Sequence, residues 1–183
     1  MTVFAFILGI GLPTVSVYIL TATLLAPALI KLGVTPMAAH MFVMYNGMLS
    51  MITPPVAFAA YAAANIARVP GWKTGWIACV VGWSTFVLPF QFVLTPSLLM
   101  DGPPGAIVYN LVRVMFGLFV GTAAVVGFAM APLSTPARLG YGALAIAILV
   151  PPAALGGAVW INWIGMAAGI ALLVIEHRRV GRT

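Results

Sequence analysis

Charged residues are scarce in this sequence of 183 residues. Only 5% of them are Asp, Glu, Lys or Arg, whereas a soluble domain carries about 25%. Eight basic and two acidic residues cannot cover the surface of a soluble globular protein. The eight basic residues also form no long run of the kind that contacts phosphate backbones. The composition therefore excludes both a soluble globular domain and a nucleic-acid-binding domain.

The sequence also has few of the residues that catalysis inside a membrane requires. Its single cysteine, Cys79, lies in an apolar segment and cannot form an internal disulfide. An intramembrane protease needs paired aspartates, a serine–histidine pair or a histidine–glutamate metal motif, and the sequence shows none of these patterns. The two acidic residues are Asp101, in a predicted loop, and Glu176, at a predicted helix end. We therefore expect neither an enzyme nor a carboxylate proton relay.

Long uncharged segments make up most of the chain. They cover residues 1–30, 32–67, 74–100, 114–136 and 139–175. A helix needs about 20 apolar residues to cross about 30 Å of hydrocarbon, and each segment can supply at least one crossing. The alternation of apolar and polar residues that is typical of transmembrane barrels is not seen. The sequence therefore predicts an all-α polytopic membrane protein.

Two breaks rich in glycine or proline interrupt the predicted helices of the first 70 residues. A helical hairpin over residues 3–30 turns at Gly9–Thr14, and because its first arm is too short to span, we predict that the hairpin is re-entrant. A helix over residues 37–66 is interrupted at Ser50–Pro55, where two prolines remove two backbone donors. Both breaks are predicted at mid-membrane depth. Non-helical backbone there is tolerated only when it is buried in protein or lines a water-filled cavity.

About four further transmembrane helices are predicted in residues 71–183, over residues 76–95, 106–131, 139–155 and 158–175. A short basic tail follows them. On the second of these helices, Asn110 and Arg113 are three residues apart, which favours a structural pair. The positive-inside rule places the basic tail, and hence the C-terminus, in the cytoplasm.

The side chains near the two breaks are small hydroxyls and one amide: Thr14, Ser16, Asn46, Ser50 and Thr53. Such hard oxygen ligands, together with unwound backbone carbonyls, suit a small cation such as sodium. Two plainer interpretations remain open. The hydroxyls can bond back to their own helices, and the two adjacent prolines can serve only to shape a helix.

These residues resemble a known family. Residues 9–14 (GIGLPT), 25–29 (LAPAL), 39–40 (AH) and 50–57 (SMITPPVA) are similar to the large membrane subunit of TRAP transporters, the tripartite ATP-independent periplasmic transporters. The resemblance covers roughly residues 1–95 and is closest to fused permeases, which join the large and small membrane subunits. Residues 106–183 resemble the extra helices that are appended to fused forms.

The resemblance implies the second inverted repeat of an elevator-type secondary transporter, with residues 1–70 as half of its transport domain. It implies import of organic acids such as C4-dicarboxylates, driven by a sodium gradient and served by a periplasmic binding protein. The protein would lie in the bacterial inner membrane, and it would need no cofactor apart from sodium, its coupling ion. Carried over, the sodium and substrate positions are Gly9, Gly11, Pro13, Thr14, Asn46, Ser50, Met51, Thr53 and Pro54. Separate large subunits often carry an acidic residue near the hairpin tip, where this sequence has Leu12-Pro13.

The first ten residues carry no charge and so do not form a signal peptide. We therefore expect the chain to be the C-terminal part of a longer permease, whose N-terminal remainder supplies the first repeat. Two alternatives remain open: a membrane channel, since broken helices can line selectivity filters, and a structural membrane subunit without transport of its own.

Overall fold

A computed structural model describes residue 2, residues 13–152 and residues 158–180. The regular elements in these parts of the chain are helices, which confirms the predicted all-α fold class. The chain divides into two compact units, residues 1–99 and residues 100–183. The predicted boundary lay after residue 70. The division after residue 99 differs from it because the two helices that follow residue 70 pack against the helices before that residue.

Among residues 13–99, the first unit has six α-helices and a final 3₁₀ turn. In chain order they are α1 (Thr14–Leu24), α2 (Ala26–Lys31), α3 (Pro36–Leu49), α4 (Phe58–Ala67), α5 (Gly71–Val81), α6 (Trp83–Leu94) and the turn Pro96–Leu99. Helix α3 is central and packs against α1, α2 and α6, whereas α4 packs against α5. The core between α2 and α3 contains Leu25, Ala26, Leu29, Ala39, Phe42 and Val43.

The predicted hairpin 3–30 is described only in its second arm. This arm consists of α1 and α2, which are separated at Leu25 because Pro27 lies in the first turn of α2 and has no N–H to donate. Together they run from Thr14 to Lys31 and are long and apolar enough to cross a membrane. The predicted first arm, residues 3–10, lies outside the described residues.

The predicted broken helix 37–66 corresponds to α3 and α4, with non-helical backbone from Ser50 to Ala57 between them. The two prolines at 54 and 55 lie within this break and are joined by a cis peptide bond. Ala57 has a positive φ of 38° and is the N-cap residue, immediately before the first residue of α4. The chain therefore stops being helical at the position that the double proline predicted.

The single helix predicted over residues 76–95 is instead two helices. α5 and α6 meet at Gly82 and are bent by 44°, so that the pair forms at most one broken span. A Cβ atom at Gly82 would lie 2.9 Å from Cδ1 of Ile52. The glycine therefore permits a close approach between the bend and the break in the α3–α4 helix.

The described part of the second unit, residues 100–152 and 158–180, contains three helices: α7 (Pro104–Val126), α8 (Thr135–Leu149) and α9 (Ala158–Val180). α7 ends earlier than the predicted residue 131 because Gly127 adopts a positive φ of 79° and terminates it. α8 ends before the predicted residue 155 because Pro151 and Pro152 follow it. α7 and α9 are each long and apolar enough to span a membrane, which confirms a multi-pass membrane protein.

Candidate functional site

A cavity of about 520 Å³ lies in the first unit, where α1 begins and α3 ends. Its lining comes from α1, α3, the break, α4 and α6, and none of the lining residues is charged. These residues are Thr14, Met44, Tyr45, Met48, Leu49, Met51, Ile52, Ala59 and Thr85. The cavity thus lies between the start of α1 and the break that follows α3.

Two helix ends face this cavity. Thr14 is the first residue of α1 and Leu49 is the last residue of α3, and both line it. The N-terminus of a helix carries a partial positive charge and the C-terminus a partial negative charge, because the N–H groups of the first turn and the C=O groups of the last turn lack partners within the helix. Such an arrangement can attract an anionic group to one side of the cavity and a cation to the other.

The break between α3 and α4 is held by its own hydrogen bonds. The Ala57 N–H donates to the carbonyl oxygens of Ser50 and Thr53, at 3.2 and 3.0 Å, and the Ala59 N–H donates to Met51 at 3.0 Å. A carbonyl oxygen has two lone pairs. Each of these carbonyls can therefore accept this bond and still coordinate a cation.

The hydroxyl groups of the break bond back to their own helix. Ser50 Oγ donates to the Gly47 carbonyl at 2.8 Å, and Thr53 Oγ1 donates to the Leu49 carbonyl at 2.7 Å. This geometry agrees with the plainer interpretation of both residues. Because the bond to the helix uses only the hydroxyl proton, the Thr53 oxygen retains lone pairs that can coordinate a cation.

Asn46 differs from these hydroxyls. Its side chain is 1% exposed, and its amide nitrogen donates to the Phe42 carbonyl at 2.9 Å. Its amide oxygen is buried and has no hydrogen-bond partner among the described residues. Burying an acceptor without a partner costs about 1–3 kcal/mol. The Asn46 oxygen is thus a buried acceptor close to the helix break, with no partner in the described part of the chain.

The remaining predicted site residues fall into two groups. Pro13 precedes α1, Met51 lines the cavity, and the Pro54 ring packs so closely on α5 that a Cβ atom at Gly75 would lie 2.8 Å from it. Gly9 and Gly11 lie outside the described residues. The structure therefore brings Thr14 and Met51 to one cavity. It places Asn46 in the last turn of α3 and Ser50 and Thr53 in the break that follows.

A comparison with protein families identifies the chain. The model of the DctM component of the tripartite ATP-independent periplasmic transporters matches residues 1–102. The chain belongs to this family. Comparisons with curated proteins and with solved structures give no match.

The DctM match covers the whole of the first unit, including the cavity and the break. The DctM family consists of permease components of transporters and is not an enzyme family. The resemblance in the sequence to the TRAP large subunit is thereby confirmed. Most of the second unit lies beyond the matched residues.

Among the cavity residues that the sequence analysis missed, two carry hydroxyl groups, namely Tyr45 and Thr85. Thr85 lies near the start of α6, after the bend at Gly82 that the sequence did not reveal. Tyr45 is one helical turn before Met48 and could have been found from the i, i+3 spacing of cavity residues on α3. Its ring also packs edge-on against Phe92 at 5.6 Å, so Tyr45 connects the cavity to α6.

Proposed function

We propose that this DctM protein imports organic acids of the C4-dicarboxylate type, driven by a sodium gradient. The substrate would be delivered by a periplasmic binding protein, and the protein would lie in the bacterial inner membrane with a cytoplasmic C-terminus. Residues that precede this part of the permease would supply the other half of the transport domain. Family membership supports the permease itself, and the geometry of the break supports the coupling ion.

The observation that carries the proposal is the buried amide oxygen of Asn46, which lacks a partner among the described residues. A neutral oxygen in such a position is stabilised by a cation more than by an anion. Sodium is a hard cation and prefers oxygen ligands, as calcium and magnesium do. The hydroxyl groups of Ser50 and Thr53 follow α3 directly, within the break, and bond back to its last turn at Gly47 and Leu49.

The substrate would enter from the side of α1. The N-terminus of this helix faces the cavity through Thr14, and its partial positive charge suits a carboxylate. Thr85 and Tyr45 add hydroxyl groups to the lining, while methionine and leucine side chains provide an apolar surface. A cavity of this composition suits a small organic acid that arrives together with a cation.

The decisive experiment is a sodium titration of succinate uptake in liposomes that contain the complete transporter and its binding protein. We expect uptake to saturate, to require the binding protein and to depend on sodium. Asn46→Leu should shift the sodium dependence to higher concentration by at least about tenfold, since losing one ligand of about 1.4 kcal/mol corresponds to that factor. Asn65→Leu, at an exposed position of α4, serves as the matched control.

Each alternative gives a different result in this assay. Uptake that ignores sodium would refute the coupling ion while leaving the permease assignment intact. Flux that fails to saturate and does not need the binding protein would indicate a channel. An unchanged sodium titration in Asn46→Leu would refute the site.

A further inference from the structure

The first unit carries positive charges and no acidic residue to balance them. Its basic residues are Lys31, Arg68 and Lys73, and the first acidic residue of the sequence, Asp101, belongs to the second unit. A cation of the first unit therefore has no carboxylate of the same unit as its counter-ion. Where two such cations lie close together, they attract an anion from outside the unit.

Two of these cations lie together at the corner between α4 and α5. Arg68 is the C-cap residue of α4, with a positive φ of 55°, and Lys73 lies in the first turn of α5. The corner is tightly packed, since a Cβ atom at Gly71 would lie 3.2 Å from the Tyr61 ring. Both basic side chains are exposed. We call Arg68 and Lys73 the basic corner.

Two exposed tryptophans beside the basic corner indicate its depth in the membrane. Trp72 and Trp76 are 59% and 52% exposed, and their rings meet edge-on with centroids 5.9 Å apart. They are four residues apart on α5, about 6 Å along the helix axis, and the headgroup layer on one side of a bilayer is about 5–8 Å thick. Tryptophan rings favour this layer. Lys73, next to Trp72 in the chain, therefore lies at the depth of the lipid phosphates.

We propose that the basic corner binds the headgroup of an anionic phospholipid such as phosphatidylglycerol. The phosphate of this lipid supplies the counter-ion that the first unit lacks, and the two tryptophans hold the corner at the depth of that phosphate. A zwitterionic lipid such as phosphatidylcholine brings its own choline cation and is attracted less. An acidic protein would suit the charges but not the exposed indole rings, which favour lipid.

Trp72 reports which lipid surrounds the basic corner. The full chain is made with Trp72 as its sole tryptophan, the others being replaced by phenylalanine, and is reconstituted in phosphatidylcholine vesicles. These vesicles contain either phosphatidylglycerol or phosphatidylcholine with brominated acyl chains, at the same mole fraction. Because bromine quenches tryptophan on contact, stronger quenching by the brominated phosphatidylglycerol measures the local enrichment of the anionic lipid.

We expect brominated phosphatidylglycerol to quench Trp72 more strongly than brominated phosphatidylcholine. Arg68→Gln and Lys73→Gln should each lower the enrichment by about fivefold, the factor that one basic residue contributes near an anionic membrane surface. In 1 M salt the enrichment should also fall, because the Debye length shrinks to about 3 Å. Lys31→Gln is the matched control: it removes an exposed cation at the end of α2 and should leave the enrichment unchanged.

Four results would overturn the proposal. Equal quenching by the two brominated lipids would show no preference for an anionic headgroup. A preference that survives the double substitution of Arg68 and Lys73, or that falls equally in Lys31→Gln, would show that the basic corner is not its cause. Weak quenching by both lipids would show that lipid does not surround Trp72. Loss of the preference in inorganic phosphate, but not in chloride at equal ionic strength, would indicate a site for a free anion.

Discussion

Arg113 on α7 and Asn162 on α9 donate hydrogen bonds to the same carbonyl oxygen, that of Val150 just after α8, at 3.1 and 3.0 Å. Both also donate to the carbonyl of Ile148, each at 3.0 Å. The last carbonyls of a helix have no partner within it, and none is supplied by lipid. Arg113 and Asn162 therefore cap α8 from the two neighbouring helices.

This cap explains how a short helix can end within the membrane. α8 has 15 residues and is about 22 Å long at 1.5 Å per residue, less than the hydrocarbon thickness of about 30 Å. Asn110 also orients the Arg113 side chain, because its amide oxygen accepts a hydrogen bond from Arg113 Nε at 3.1 Å. The positive charge of Arg113 lies at the negative end of the α8 dipole, where a cation is stabilised.

We predict that Asn162→Leu destabilises the second unit by about 1–3 kcal/mol, because buried carbonyls lose a donor without gaining another. The side chain of Asn162 is 0% exposed and donates to three carbonyls, those of Ala147, Ile148 and Val150. The measurement is unfolding of the purified protein in detergent by denaturant. Asn65→Leu, on exposed surface, should change stability by less than about 0.5 kcal/mol. Equal effects of the two substitutions would contradict the capping role.

A second prediction concerns the contact between the break and α5. A Cβ atom at Gly75 would lie 2.8 Å from Cγ of Pro54 and 3.3 Å from the Tyr61 ring. Gly75→Ala should therefore be about 1–3 kcal/mol less stable than Gly140→Ala, because overpacking costs this much while both substitutions gain the same helix propensity. At Gly140 a Cβ atom meets nothing within 4 Å. Thermal unfolding of both variants provides the comparison, and equal stabilities would show that the break yields to the extra methyl group.

The features that the sequence predicted well are those with a local cause. The scarcity of charge required membrane helices, and two adjacent prolines required a break near residue 54. The pairing of Asn110 with Arg113 followed from their spacing on one helix face and is confirmed by the 3.1 Å hydrogen bond.

The features that the sequence analysis missed depend on distant partners. The bend at Gly82 escaped prediction because helices that are apolar on all sides carry no periodic signal, and the side chain that packs against it, Ile52, comes from another element. Asn162 reaches carbonyls 12–15 residues away, a distance that no helical spacing indicates. The lack of a hydrogen-bond partner for the Asn46 amide oxygen among the described residues could not be predicted either. A residue type does not reveal which of its atoms will have no partner.

The third prediction is topological. Reporter fusions after Trp72, Ser134 and the C-terminus should show a cytoplasmic location, and one after Pro103 a periplasmic location. The reason is the positive-inside rule, with α5 and α6 counted as one bent span. The exposed rings of Trp72 and Trp76, in edge-on contact at 5.9 Å, suit an interface beside the first fusion point. A periplasmic C-terminus would reverse the orientation and refute this prediction.

The fourth prediction separates an ion ligand from a helix cap. Thr53→Val removes a hydroxyl that bonds back to α3, and Thr21→Val removes one that bonds back to α1 in the same way, to the Val17 carbonyl at 2.8 Å. If the Thr53 oxygen also binds sodium, only Thr53→Val should weaken the sodium dependence of uptake. The assay is the sodium titration in liposomes at matched protein levels. Equal titrations in both variants would leave Thr53 as a helix cap alone.

The last prediction tests whether Asn46, whose amide oxygen has no partner among the described residues, binds sodium or serves only the structure. Without sodium, Asn46→Leu should be as stable as the parent protein or more stable, because it removes a buried acceptor whose desolvation costs about 1–3 kcal/mol.

With sodium at ten times the dissociation constant of the parent, the parent should gain about 1.4 kcal/mol, and Asn46→Leu, which binds sodium at least about tenfold more weakly, should gain at most about 0.4 kcal/mol. Thermal unfolding in sodium chloride and in potassium chloride at equal ionic strength measures both effects. Asn162→Leu is the matched control, since its amide is fully bonded; it should lose stability in both salts and keep the sodium effect. If Asn46→Leu behaves like this control instead, Asn46 is a packing residue and the sodium site lies elsewhere.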